Sequence, residues 1–340
     1  MPGTLNVNEG CAAQMTVVLV TPHRYDAIRK TMEHLQAQTV VDRLEIVIVA
    51  PSAAALDLDA AAYGAAFGRV RVVEVGEIRS TGKALAAGVR VASAPVVSFA
   101  EEHAYPAPDW AEALIKAHRQ SWAAISGTIA NANPGNMVNW ASFFTDFGPW
   151  AEPAEAGEIG HLAWHHAAYK REVLLEYGPG LEAMLEAESI LHTDLQARGY
   201  RFYLEPAAKT KHVSISRLSS YIGAEFHGAR MFAANRARSA KWSRFRRLLA
   251  VCRMPLIPFM RLERVVRHIF RSGREGELLP RILPALIVGL VADALGQLTG
   301  YAFGPGKAAQ RRVSFELNRC QHTTAQDRAN TKVVARAINA

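Results

Sequence analysis

The residues of this chain best suited to chemistry lie in the stretch Val96 to Trp110, VVSFAEEHAYPAPDW. A short apolar run containing Val96, Val97 and Phe99 ends abruptly in Glu101, Glu102 and His103. Pro106 and Pro108 forbid the strand from continuing, and Asp109 is placed to cap a helix that begins near Trp110. Two carboxylates and an imidazole are thereby set at the carboxyl end of a buried strand, the edge at which open α/β sheets bind ligands. Carboxylate oxygen and neutral imidazole are both ordinary ligands of divalent ions, so the Glu101-x-His103 pair suits a metal. The bland alternative is a solvated acidic loop.

The flanking sequence predicts the elements that would position this edge. Met15–Val20 reads as a first strand ending at Thr21 and Pro22, and Tyr25–Gln38 as a helix with Ile28, Met32 and Leu35 on one face. Leu44–Val49 and Val70–Val75 read as further strands, Thr81–Ala94 as a helix of small residues, and Val96–Phe99 as the fourth strand. This alternation predicts βαβ units and a mostly parallel sheet. Downstream, the pattern predicts a helix over Trp110–His118, a strand over Ala123–Ile129 and a long loop over Asn131–Glu158. Helices over Tyr169–Glu176 and Leu181–Arg198 follow, then a strand over Tyr200–Leu204 before Pro206.

Half of the 340 residues are hydrophobic, enough for one large α/β domain plus something smaller. The net charge of +8 is uneven, with basic residues crowded between Arg217 and Arg274. Such clustering implies an anionic partner, a membrane surface or nucleic acid. No nucleic-acid reader motif or stacking aromatic array accompanies it, so no nucleic-acid partner is expected. Three widely spaced cysteines argue against a disulfide framework, and no signal peptide is evident at the N-terminus. Tyr221–Arg247 is a basic helical stretch, Leu262–Arg271 is basic and amphipathic, and Ile282–Phe303 is about as long as a bilayer-spanning helix, with Asp293 its one charge. Together they read as membrane attachment, either interfacial or spanning. The expected organisation is a flexible arm over 1–14, an α/β domain over 15–215, membrane-associated helices over 216–304, and a disordered polar tail over 305–340.

Five segments then fall in a telling order: TGKALAAGV at Thr81–Val89, EEH at Glu101–His103, HHAAYKREVL at His165–Leu174, EAESILHTDLQARGYR at Glu186–Arg201, and EPAAKTKH at Glu205–His212. From roughly Met15 to Val213 the chain resembles inverting family-2 glycosyltransferases of the GT-A fold, in which a membrane-associated C-terminal region is also common. The resemblance implies a GT-A-like sheet flanked by helices and transfer of a sugar, hexosyl in type, from a nucleotide sugar. A UDP-sugar is the leading donor, and a lipid-linked or polysaccharide acceptor of the cell envelope fits an enzyme on the cytoplasmic face of the cell membrane. It implies a divalent metal, Mn2+ or Mg2+, held by Glu101, His103 and His212 as a Lewis acid on the leaving diphosphate. Thr21, Pro22, Lys83, Glu101 and Glu102 form the expected donor-binding set. His165, His166, Tyr169, Lys170 and Arg171 are expected to line or brace the acceptor side.

Glu188 stands opposite the family's general base, with Glu186 as the fallback one alignment step away. Its apolar neighbours Leu185, Ile190 and Leu191 suggest burial that would raise its pKa towards the working pH. Helix-dipole preference for early carboxylates is the bland account. Three departures stand out. The family's D-x-D is Glu101-x-His103, its E-D pair is Ala187-Glu188, and Ala50 and Pro51 replace the acid that reads the uracil ring. A non-catalytic family member is the alternative those departures support, and a protein binding anionic surfaces or nucleic acid is the other.

Overall fold

The computed structural model describes residues 12–58, 66–163 and 165–329. The chain divides into two compact units, one of Met1–Ile129 with Ala154–Lys211 and the other of Ala130–Pro153 with His212–Ala340. Residues 1–11 of the expected arm and 330–340 of the expected tail lie outside the described residues.

The first unit is built on a nine-stranded sheet. Its strands are β1 (Met15–Val20), β2 (Leu44–Ala50), β3 (Arg69–Glu74), β4 (Val96–Ala100), β5 (Ala104–Pro106), β6 (Ala124–Asn131), β7 (Gly157–Ile159), β8 (Ala167–Lys170) and β9 (Phe202–His212). They run in the order β3-β2-β1-β4-β8-β6-β9-β5, with β7 also paired to β9. β3, β2, β1 and β4 are mutually parallel, whereas β8 enters antiparallel between β4 and β6. Every residue of β1 and β2 is buried, as expected for strands covered on both faces. On one face, Ile28, Met32 and Leu35 pack with Trp110 and Leu114 over Val17, Leu19, Ile46 and Ile48. These covering residues come from α1 (Arg29–Gln36) with its preceding turn and from α4 (Trp110–Ala117); α2 (Ala53–Leu56) and α3 (Thr81–Val91) lie between them in the chain. The result is the mixed α/β, GT-A-like architecture that the motif order implied.

One buried acid holds the amino-terminal side of this sheet. Glu45 accepts hydrogen bonds from Thr16 Oγ1 at 2.6 Å and Ser93 N at 2.7 Å, and pairs with Arg71 Nε at 3.1 Å. Removing one partner of a buried pair strands the others, so Glu45→Ala should cost about 3–5 kcal/mol, read as a lowered urea midpoint.

Several elements differ from the sequence-based expectation. The segment Asn131–Glu158 is not a long loop: it carries α5 (Met137–Phe147), capped by the Asn136 side chain accepting from Asn139 N, and then β7. Its Asn and aromatic content hid a Phe143–Phe144–Phe147 face that stacks with Trp140. Tyr169–Glu176 begins as β8 and becomes helical only over α6 (Arg171–Leu175). Leu181–Arg198 is two helices, α7 (Leu181–Glu186) and α8 (Glu188–Ala197), parted at Ala187. β9 runs through Pro206 to His212.

The second unit is helical: α5, α9 (Leu218–Ser239), α10 (Arg244–Arg253), α11 (Ile257–Arg271), α12 (Glu275–Phe303) and α13 (Ala308–Leu317). The tail expected to be disordered therefore contains a helix over Ala308–Leu317 and a further turn at Arg319–His322. α12 is the one helix among the described residues that is long and apolar enough to cross a membrane, and half of its most apolar stretch is buried. It packs along α9 so closely that a Cβ on Gly296 or Gly300 would come within 2.2 or 2.3 Å of the Phe226 or Arg230 carbonyl oxygen. Its one central charge, Asp293, pairs with Arg261 of α11 and accepts from Gln297 Nε2 at 2.8 Å.

Candidate functional site

The carboxyl edge of the parallel strands gathers most of the candidate residues. β1 and β4 are in register at Leu19 and Ala100, so Thr21 and Pro22 emerge beside Glu101 and Glu102. The buried Thr21 is fixed by its N–H donating to Val49 O at 3.0 Å, and its hydroxyl accepts from His23 N at 3.2 Å. β3 is parallel to β2, so the loop leaving it starts α3 at the same edge. Ser80 caps α3 by accepting from Lys83 N at 3.1 Å, which leaves the exposed Lys83 on the positive end of an 11-residue helix.

Glu101 follows β4 directly, its side chain 11% exposed. Thr31 of α1 donates to the Glu101 carbonyl at 2.9 Å and sits 3.2 Å from that of Ala104, pinning both ends of the loop that carries His103. Glu101 Oε2 then lies 3.0 Å from His166 Nε2 and 3.4 Å from His103 Nε2, with both rings buried. His166 reaches this position through the antiparallel register of β8. Ser98 faces Ala168, so by the same register His166 lies opposite Ala100, next to Glu101.

That same register moves two expected acceptor residues away. Lys170 faces Val96, at the opposite end of β4 and about five residues, ~16 Å, from Glu101. Arg171 follows it there, its N–H donating to Pro95 O at 2.8 Å and its guanidinium to Arg90 O at 3.4 Å. Tyr169 is fully buried, tilted against Phe99 and hydrogen-bonded through its hydroxyl to His192 Nε2 at 2.8 Å. These three residues brace the sheet and are not part of the ligand edge.

The neighbouring histidine takes a second carboxylate. His165 Nδ1 lies 3.0 Å from Glu188 Oε1, and His165 N donates to Glu188 Oε2 at 3.2 Å. His165 makes both contacts from a left-handed backbone with φ of 52°, a conformation costing a non-glycine residue about 1 kcal/mol or more. The preceding loop is anchored where Ala163 N donates to Ser126 Oγ at 2.8 Å. His165 and His166 thus sit in a turn rather than on a helix face.

The environment of Glu188 corrects its expected ionisation. Burial pushes the carboxyl up, but the charge and hydrogen bonds of His165 outweigh it and hold the group below the usual glutamate range. Glu188 is therefore an ionised acceptor at neutral pH, not a carboxylic acid. Glu186 faces elsewhere. Its carboxylate accepts from Ser80 Oγ and, at 2.9 Å, from Gly82 N, closing the amino end of α3. The backbones meet there, since a Cβ on Gly82 would stand 2.4 Å from Glu186 N. The split at Ala187 sends one acid to each task.

Two core histidines were missed by sequence reasoning. His192 is pushed down to about 4 by burial, and so is His118, whose Nε2 lies 3.2 Å from Ala168 O. A histidine kept neutral in the fold but free to protonate when unfolded favours unfolding in acid. Stability should fall between about pH 6.5 and pH 4, by roughly 3 kcal/mol for each histidine at the limit. Urea titrations at stepped pH check this, and His192→Gln should flatten the curve.

His212 ends β9 and opens the second unit, where its buried ring packs against Phe147 at 4.5 Å. Within the first unit, Glu101 and His103 are the carboxylate and imidazole suited to a divalent ion, and His166 Nε2 lies 3.0 Å from the same carboxylate. A carboxylate oxygen with an imidazole nitrogen fits Mn2+ better than Mg2+, which prefers oxygen ligands.

No curated protein matches the chain. Among solved structures, the mannosyltransferase PcManGT from Pyrobaculum calidifontis, in complex with GDP-Man and Mn2+, is 20% identical with a TM-score of 0.49, covering 85% of this chain and 88% of its own. S. aureus TarS 1-349 in complex with UDP is 16% identical with a TM-score of 0.44, covering 85% and 90%. Residues 16–178 match the sequence model of glycosyl transferase family 2, spanning β1 to the end of α6 and so both Glu101 and the His165-His166 pair. Over that span, just under half of the chain, the sequence is similar to glycosyl transferase family 2.

Proposed function

We propose that this chain transfers a hexosyl group from a nucleotide sugar to an acceptor, with inversion and with the help of a divalent metal. The observation that carries the reading is the division of labour between adjacent histidines. His166 turns to Glu101 at 3.0 Å and His165 to Glu188 at 3.0 Å, so the histidines that face the diphosphate-side carboxylate and the ionised base are joined by one peptide bond. Glu101 and His103 would hold Mn2+ or Mg2+, which when bound supplies Lewis-acid neutralisation of the leaving diphosphate. Lys83 and the amino end of α3 add positive potential on the same edge. Thr21 and Pro22 border the donor, and Glu188 accepts the proton of the attacking hydroxyl. Glu188 as the one proposed base favours a single in-line displacement, hence inversion.

A UDP-sugar is the donor the family resemblance favours, although Ala50 and Pro51 at the end of β2 leave base recognition to other groups. The basic, apolar helices of the second unit support an acceptor presented at a membrane, a lipid-linked or cell-envelope glycan met on the cytoplasmic face. Calorimetric titration with UDP, GDP and dTDP, each with and without Mn2+, tests the proposal. One nucleotide should bind, and only with the metal. Absence of binding by all three would favour a non-catalytic family member.

A further inference from the structure

The second unit leaves a broad apolar surface open. Phe245, Leu248, Leu256, Phe259 and Phe270 are all more than half exposed, on α10, α11 and the turn between them. Phe259, Leu262, Val266 and Phe270 recur at helical spacing on α11 and line an open apolar hollow with Glu263 and Arg267. The opposite side of the same helix, Val265 and Ile269, is buried. α12 adds Ile287, Val291 and Leu295, exposed on the side away from α9. Arg244, Arg246, Arg253 and Arg264 stand exposed among these residues.

A helix of this length could cross a bilayer, but its packing argues against that here. The backbones of α12 and α9 touch at Gly296 and Gly300, so α9 would have to enter the hydrocarbon with it. α9 carries Arg230, Arg236 and Arg238, each costing about 2.5–3.5 kcal/mol near a bilayer centre. Arg261, bound to Asp293, would enter as well. α10 and α11 are too short to span and are parted by a turn containing Pro255.

We infer that the second unit lies in the plane of an anionic membrane surface, with α10, α11 and the outer side of α12 sunk to the boundary between headgroups and acyl chains. Apolar side chains interleaved with arginine are the composition of an interfacial helix. Charge selects this occupant over a second copy of the chain, because a two-fold contact through the same surface would set arginine against arginine. The inference deepens the membrane part of the proposed function and is independent of the chemistry at Glu101.

Flotation of the full chain with phosphatidylcholine vesicles, with and without phosphatidylglycerol, tests it. Binding should require phosphatidylglycerol, weaken with salt, and fall about tenfold on Phe259→Ser or Leu256→Ser. Both substitutions are on exposed positions, and unchanged circular dichroism confirms the fold. In a background with the native cysteines changed to serine, Gly276→Cys and Phe303→Cys at the two ends of α12 should both react with an impermeant maleimide in intact vesicles. Labelling of one end only after vesicle lysis would establish a spanning helix and overturn the inference. So would flotation indifferent to lipid charge and to Phe259→Ser, or lipid-free self-association that Phe259→Ser abolishes in a chain that does not float. The nucleotide titration on the same preparation reports separately on the donor site.

Discussion

Glu101→Ala should lower glycosyl transfer about 10²–10³-fold, the loss typical of removing one preorganised electrostatic group from a reacting centre. His103 and His166 share this carboxylate, at 3.4 and 3.0 Å. Without it two buried imidazoles remain, which are poor ligands for Mn2+ or Mg2+ compared with oxygen. The metal dependence of nucleotide binding should vanish with the activity, and calorimetry in the presence and absence of Mn2+ checks both. Glu101→Asp, which withdraws the oxygens by one methylene, should retain metal-dependent binding with weaker affinity. Full transfer by Glu101→Ala would show that Lys83 and the amino end of α3 neutralise the diphosphate unaided.

Glu188→Gln should lower kcat by about 10²–10⁴ while leaving KM for the donor little changed. Glutamine keeps the volume and can still accept from His165 N, so the substitution removes basicity rather than packing. The pH profile separates this base from others. His165 holds the Glu188 carboxyl below the usual glutamate range, so the base stays ionised as pH falls and its limb lies at the acid extreme. Activity should therefore hold from neutrality to about pH 5, wherever circular dichroism shows the fold intact. The linkage has the same sign: a depressed carboxyl contributes stability above its unfolded pKa that is lost as pH falls through the folded value. An activity limb near neutrality would assign the proton to another acceptor.

The parallel half of the sheet and the edge bearing Thr21 and Glu101 were legible in the sequence because both depend on local signals. β-branched runs mark β1 and β2, and Pro106 and Pro108 mark the end of the site loop. What was not legible depends on pairing across long separations. The run AAYK is four residues long and offers no periodicity to distinguish strand from helix, so its insertion beside β4 went unseen. With it went the assignment of His166 to Glu101 and the removal of Lys170 and Arg171 from the ligand edge. Likewise, Glu186 and Glu188 look equivalent in the sequence. Only the meeting of α3 with α7 at Gly82 shows that one is already committed to Ser80. The Ser80 cap itself was a readable signal, a serine just ahead of a helical run.

The placement of β8 also has a consequence for the order of folding. Residues 96–100 and 124–131 flank a slot that is filled by residues 167–170, drawn from later in the chain. Until that slot is filled, Glu101 has no His166 and the turn that aims His165 at Glu188 is not anchored. On the ribosome, the chain must emerge past residue 170 before Glu101 acquires His166, and past residue 188 before His165 meets Glu188. Non-local closure of this kind is slow. In refolding, the parallel strands should regain secondary structure first, with metal-dependent nucleotide binding returning in a later phase.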